Sequence, residues 1–230
     1  AIDHTVYTVD LLGCGRSDKS SITYTNFVYV QMISDFIKKI IGQKTDVIAS
    51  GFSGSFVTMA CHNEKELFNK IMLVNPPSLT QLKQMPNRKD RLLKAALEIP
   101  IFGTLIYHMI VSRDNVNNLF IEKMYYNPFH VDNQMADAYY EAAHKGGCYT
   151  RFLYSSLAAK YININICHAL KALDNSIYIV EGETEPNGKA VTDDYCSSNP
   201  AIEVSVLKET KHLPHVEAPE AFLEQVKIFF

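Results

Sequence analysis

The sequence predicts an α/β fold: a mostly parallel sheet flanked by helices, with an all-helical segment inserted between its strands. Three observations carry that reading. The first third alternates strand-like and helix-like patterns, as parallel α/β chains do. From about Ser78 to Leu173 helical periodicity dominates, with no strand signal of comparable quality. From residue 174 onward the α/β alternation resumes. The expected organisation is a first core segment over 1–77, a helical insertion over 78–173 and a second core segment over 174–230.

Length and composition agree. The 230 residues are 47% hydrophobic and 20% charged, enough for one domain with a sizeable core. The formal net charge is -3, and no concentrated basic patch marks a nucleic-acid partner. The longest apolar run, Ile99 to Val111, is too short to span a bilayer and reads as a buried or interfacial helix. The five cysteines are odd in number and widely spaced, with no CxxC pair. That is neither a disulfide framework nor a zinc site, and it suits free thiols in a reducing, cytoplasmic compartment. No cofactor or metal is called for. The chain enters a strand-like run almost at once and shows no signal peptide, so it reads as an N-terminally truncated fragment.

Taken in order, Thr5 to Leu12 reads as a buried strand ending in the glycine turn "GCGRSDKS". Asn26 to Ile41 has apolar residues at helical spacing and stops at Gly42, a C-cap. "TDVIAS" is the second strand, "SGSFVTMACHNEKELF" a helix and "KIMLVNPP" a third strand ended by prolines. The insertion holds "RKDRLLKAALEI", "FGTLIYHMIV", "NVNNLFIEKMYY", "NQMADAYYEAAHK" and "TRFLYSSLAAK", all helical. "NSIYIVEG" and "AIEVSVLK" are strands, "DDYCSSNP" closes a helix, and "PEAFLEQVKIFF" is an amphipathic C-terminal helix.

In an open parallel sheet, functional groups lie on the loops after the strands. Four such loops carry chemistry-bearing residues. Asp10 to Asp18 reads D-x-x-G-x-G-x-S. Val47 to Phe56, "VIASGFSGSF", reads as a sharp strand-to-helix turn. "EGETEP" places Glu185 three residues after Gly182. "KHLPHVEAPEAF" places His212 ahead of His215, Glu217 and Pro219.

These segments resemble the turns of the α/β-hydrolase superfamily, whose triad runs nucleophile, acid, histidine along the chain. The resemblance covers nearly all of the chain. It implies that His212 is the triad histidine, that Glu185 is the acid orienting it, and that the helical insertion is a lid. The lid segments are similar to those of the haloalkane-dehalogenase and epoxide-hydrolase-like branch. Its aromatics (Phe102, Tyr107, Phe120, Tyr125, Tyr126, Tyr139, Tyr140) suit a small apolar substrate or equally a lid core. An Asp nucleophile, which dehalogenase or epoxide chemistry needs, stands at neither 51 nor 53.

The nucleophile position has two registers. The elbow needs small residues on either side because the helix packs close to the strand. Gly51-Phe52-Ser53-Gly54-Ser55 makes Ser53 the nucleophile. Ala49-Ser50-Gly51-Phe52-Ser53-Gly54 puts Gly51 there and leaves no nucleophile; Ser50 and Ser55 are minor candidates. Asn75 of the "L-V-x-N-P" segment lies 24 residues after Gly51 and 22 after Ser53. Related proteins favour the first spacing, whereas a shorter loop would permit the second.

The expected activity is therefore hydrolysis of an ester or related acyl bond by Ser53, His212 and Glu185, as nucleophile, general base and orienting acid. The alternative is a binding protein with Gly51 at the nucleophile position. The resemblance also implies an oxyanion-hole strand upstream of this sequence, and each lost donor costs about 3–4 kcal/mol of transition-state stabilisation.

Overall fold

The computed structural model describes residues 4–230, apart from the side chain of residue 133. The first three residues of the expected 1–77 segment thus lie outside it. Helix α1 (Asn26–Phe36) continues through a wider turn, Ile37–Ile41, to Gly42, whose φ of 72° closes the helix in the left-handed region. Strand β1 (Thr45–Ser50), helix α2 (Phe52–Asn63) and strand β2 (Phe68–Val74) follow. Strand β3 (Ile177–Gly182), helix α10 (Gly188–Ser198), strand β4 (Glu203–Leu207), the turn α11 (Pro214–Glu217) and helix α12 (Pro219–Phe229) complete the C-terminal part.

Between β2 and β3 the described chain is helical. It runs through α3 (Leu79–Leu82), α4 (Arg88–Glu98), α5 (Phe102–Ile110), α6 (Arg113–Leu119), α7 (Asn133–His144), α8 (Thr150–Ala158) and α9 (Cys167–Ala172). Asn87 starts α4 with a capping box. Its side chain accepts from the backbone of Lys89 and Asp90, while Asp90 accepts from the Asn87 backbone N–H. No single helix among the described residues is long and apolar enough to cross a membrane.

The four strands pair in the order β1-β2-β3-β4, all parallel. The two central strands explain the core. Side chains alternate across a strand. Ile71, Leu73, Ile177 and Ile179 therefore face one layer with Tyr29 of α1 and Phe56, Ala60 and Cys61 of α2. Met72, Val74, Tyr178 and Val180 face the other, with Leu207 and Phe222 of α12. Both faces are covered, so the central strands read as continuous apolar runs rather than alternating ones. Tyr29 stacks on Phe56 with ring centroids 4.9 Å apart, which locks α1 against α2.

Three expectations are corrected: the helix after β1 ends at Asn63 rather than at Phe68, which starts β2; the apolar run Ile99–Val111 buries only Gly103 and Tyr107 of its helix; and the first expected strand is absent. Thr5–Leu11 has no regular secondary structure, Leu12 already belongs to the glycine turn, and the segment joins no sheet. Val6, Tyr7 and Val9 are 67%, 47% and 42% exposed. An apolar run becomes a strand only when a neighbour supplies its ladder, and β1 pairs with β2 alone among the described residues. The glycine turn after it is nonetheless ordered. Asp10 accepts from the Arg16 backbone N–H at 2.9 Å, and Ser17 Oγ donates to the Asp10 carbonyl at 2.6 Å. Lys19 Nζ donates to the carbonyls of Cys14, Gly15 and Ser17 at 3.3, 2.5 and 3.0 Å.

Candidate active site

Because all strands are parallel, the residues following them gather at one edge of the sheet. Gly51 follows β1, Asn75 follows β2, Glu185 comes soon after β3, and His212 follows β4.

The β1–α2 turn pivots on Gly51, at φ 57° and ψ −132°, a region that L side chains rarely occupy. Its N–H donates to the Val74 carbonyl at 2.9 Å, and its carbonyl accepts from the Gly54 N–H at 3.1 Å. A Cβ built on Gly51 meets nothing within 4 Å, so the space above it is open. At Gly54 helix α2 packs tightly on β2: a Cβ there would lie 3.1 Å from Leu73 Cδ2. Ser53 lies in the first turn of α2, half-buried and with helical backbone. No hydrogen bond joins it to His212 among the described residues. Ser55 is fully buried and donates to the Phe52 carbonyl at 2.7 Å, a helix-internal contact. Ser50 ends β1 and is exposed.

Glu185 and His212 meet at this edge of the sheet. His212 Nδ1 lies 3.1 Å from Glu185 Oε1. The hydrogen bond to the carboxylate holds the imidazole above its ordinary pKa of 6.5 against the opposing effect of burial. Glu185 Oε2 is buried without a partner. His215 is different. Burial, aided by the charge of His212, pushes it below the ordinary range, and its Nδ1 is buried and unpartnered. It packs against Phe222 with ring centroids 5.8 Å apart.

Two positioning residues carry more than their sequence signal suggested. Asn75, buried and at φ 42°, served in the sequence only as a spacing marker. Its Nδ2 donates to the carbonyls of Lys211 and His212 at 2.8 and 3.0 Å, and its Oδ1 accepts from the Gly182 N–H at 3.0 Å. Gly182 must be glycine because a Cβ there would run into the Lys211 carbonyl. Glu217 accepts from the backbone N–H of Lys211 at 2.8 Å and of Tyr126 at 2.6 Å. The His212 N–H donates to the Met124 carbonyl at 3.1 Å. The histidine loop is thus fastened both to the sheet and to the helical segment. Leu213 packs into that segment's own core, with Val116, Phe120, Tyr125 and Ala136. Tyr107, Phe120 and Tyr125 are buried, whereas Phe102, Tyr126 and Tyr139 are exposed.

The described residues include no group of three or more His, Cys, Asp and Glu arranged to hold a metal ion, and all five cysteines are free thiols.

Against known proteins, the profile of the alpha/beta hydrolase family matches residues 1–225. The chain belongs to the alpha/beta hydrolase family. Three solved structures of that fold resemble it. A serine hydrolase involved in carbazole degradation matches at TM-score 0.75 and 15% identity, over 96% of this chain and 76% of that one. The 2-hydroxy-6-oxo-6-phenylhexa-2,4-dienoate hydrolase from Rhodococcus sp. strain RHA1 matches at 0.72 and 16%, over 96% and 78%. Carboxylesterase CesB from Bacillus subtilis matches at 0.64 and 13%, over 96% and 72%. By sequence, no curated protein matches this alpha/beta hydrolase.

Proposed function

We propose that this alpha/beta hydrolase-family chain binds a small apolar acyl compound at the Gly51–His212 edge of its sheet without forming a covalent acyl intermediate there. The observation that carries the reading is the positive φ of Gly51 at the pivot of the β1–α2 turn, with open space above it. The elbow strains one residue so that its side chain stands clear of the turn. In this reading that residue is Gly51, which has no side chain and offers His212 no hydroxyl. The Glu185–His212 pair remains as a polar anchor for a ligand carbonyl or hydroxyl.

A fluorophosphonate probe and an aryl ester test this. The wild-type chain is expected to take no label and to turn over no ester, and Gly51→Ser to gain serine labelling, because the added side chain enters empty space. Labelling of Ser53 in the wild-type protein, lost in Ser53→Ala, would overturn the reading. It would instead support ester hydrolysis by Ser53, His212 and Glu185, a second reading favoured by the intact Glu185–His212 hydrogen bond and by the half-exposed position of Ser53 at the start of α2.

A further inference from the structure

A second site lies wholly within the helical segment and goes beyond the reading above. Between α5 and α8 runs an open groove of about 490 Å³, with Ile101, Thr104, Leu105 and His108 on one side and Cys148 and Arg151 on the other. None of Gly51, Glu185 or His212 lines it. Its walls are mainly apolar, and two of them are held out in water: Ile101 is 87% and Leu105 60% exposed. Ile101 also sits at φ 65°, a conformation that β-branched residues avoid.

Arg151 gives the groove its chemistry. It is only 6% exposed. Its guanidinium donates to Thr104 Oγ1 at 2.9 Å, to the Glu98 carbonyl at 3.4 Å and to the Cys148 carbonyl, all neutral acceptors. Its Nε is buried with no partner. Among the described residues no carboxylate lies within ion-pair distance. The neighbouring Glu98 side chain is already engaged, by Lys94 at 2.5 Å and Ser155 at 2.7 Å. A buried guanidinium is normally matched by an anion, because removing its hydration without a counter-charge is costly. Arg151 Cζ lies 4.6 Å from the Phe152 ring centroid, and the residue lines the apolar groove.

We infer that the α5–α8 groove binds an amphipathic monocarboxylate, with its carboxylate on Arg151 and its hydrocarbon tail between Ile101 and Leu105. The planar guanidinium fork suits a carboxylate, and the apolar walls suit an unbranched chain. A long-chain alcohol, which shares the tail, lacks the charge that Arg151 leaves unmatched.

Calorimetric titration of the full chain with decanoate below its micellar concentration tests this. Saturable one-to-one binding is expected, with decanol more than about tenfold weaker, the loss of one charge-assisted contact. Leu105→Asp, at an exposed position that the fold tolerates, is expected to weaken decanoate by a similar factor. Arg151→Met does the same where the variant folds. His212→Ala should leave decanoate binding unchanged, which separates this site from the one at the sheet edge. Equal binding of decanol and decanoate would overturn the inference, as would binding insensitive to Leu105→Asp, binding abolished by His212→Ala, or no saturable binding at all. A concentration-dependent dimer abolished by Leu105→Asp would also overturn it, by making the groove an interface between copies.

Discussion

The amide of Asn75 holds the carbonyl of His212 at 3.0 Å, across 137 residues of sequence. The same side chain accepts from Gly182 at 3.0 Å. One residue at the end of β2 therefore fixes the loops that carry both Glu185 and His212.

Asn75→Ala removes both donor contacts and leaves the Gly182 N–H without its acceptor. A buried donor left unpaired costs about 1–3 kcal/mol. Alanine at φ 42° adds about 1–2 kcal/mol, whereas glycine does not. Urea unfolding should therefore show Asn75→Ala destabilised by about 2–5 kcal/mol, and Asn75→Gly destabilised less. Equal losses would mean that backbone conformation contributes nothing at this position.

Gly51→Ala is expected to fold with a modest loss. Its Cβ meets nothing, so the cost is conformational alone, about 1–3 kcal/mol for a residue held in a disfavoured region. Gly182→Ala fails by a different route. Its Cβ collides with the Lys211 backbone carbonyl, which no side-chain rotation relieves. Its thermal midpoint should fall, and the histidine nearest Glu185 should lose its shifted titration. Gly51→Ala should leave that titration in place.

His212 should titrate above 6.5 and His215 below it, read from the Cε1 protons by NMR. Glu185→Gln should bring His212 down. The sign for stability follows from the raised folded value. The His212–Glu185 contribution is fully present below the unfolded pKa and is lost as pH rises above 6.5 through the folded one. His215 has the opposite slope. Its lowered folded value favours the folded state as pH rises through that value toward 6.5. Urea midpoints of wild type and Glu185→Gln across that range should converge at high pH.

Glu217→Gln keeps the shape of the carboxylate and halves its acceptor capacity. Two backbone donors, Lys211 and Tyr126, share its oxygens at 2.8 and 2.6 Å. Hydrogen exchange at one of these two amides should accelerate by about tenfold, the equivalent of losing a charge-assisted contact of about 1.5 kcal/mol. Unchanged exchange at both would show that the loop is held by its other contacts alone.

Much of this was legible in the sequence because the signals were local. The strands at 45–50, 68–74 and 177–182 announced themselves by apolar runs that stop at Gly51, at Asn75 and at Gly182, and the strand at 203–207 by its alternating Val204 and Val206. Glu185 and His212 were singled out by the resemblance of their loops to α/β-hydrolase turns, and the two side chains lie 3.1 Å apart. Thr5–Leu12 carries the same apolar signal and forms no strand, because the pattern of a segment says nothing about whether a neighbour exists to pair with it. Gly51 and Ser53 both satisfied the requirement for small residues; only backbone angles distinguish a pivot from a helical turn, and these place the positive φ at Gly51. The clasp at Asn75 was invisible for a simpler reason. It joins positions 75, 182, 211 and 212, and no local window contains them all. Arg151 gave no signal either, since an arginine in a helix is ordinary until its burial and missing counter-charge are seen.

The fastening of the histidine loop constrains how anything reaches it. The stretch 122–126 grips that loop at three points: the Met124 carbonyl takes the His212 N–H, the Glu122 carbonyl takes Lys211 Nζ at 2.5 Å, and Tyr126 is held by Glu217. A hatch that swung free of the sheet here would have to let go of the imidazole's own backbone. Such a movement would also release Lys211 and Glu217, the two contacts that flank His212 in this loop.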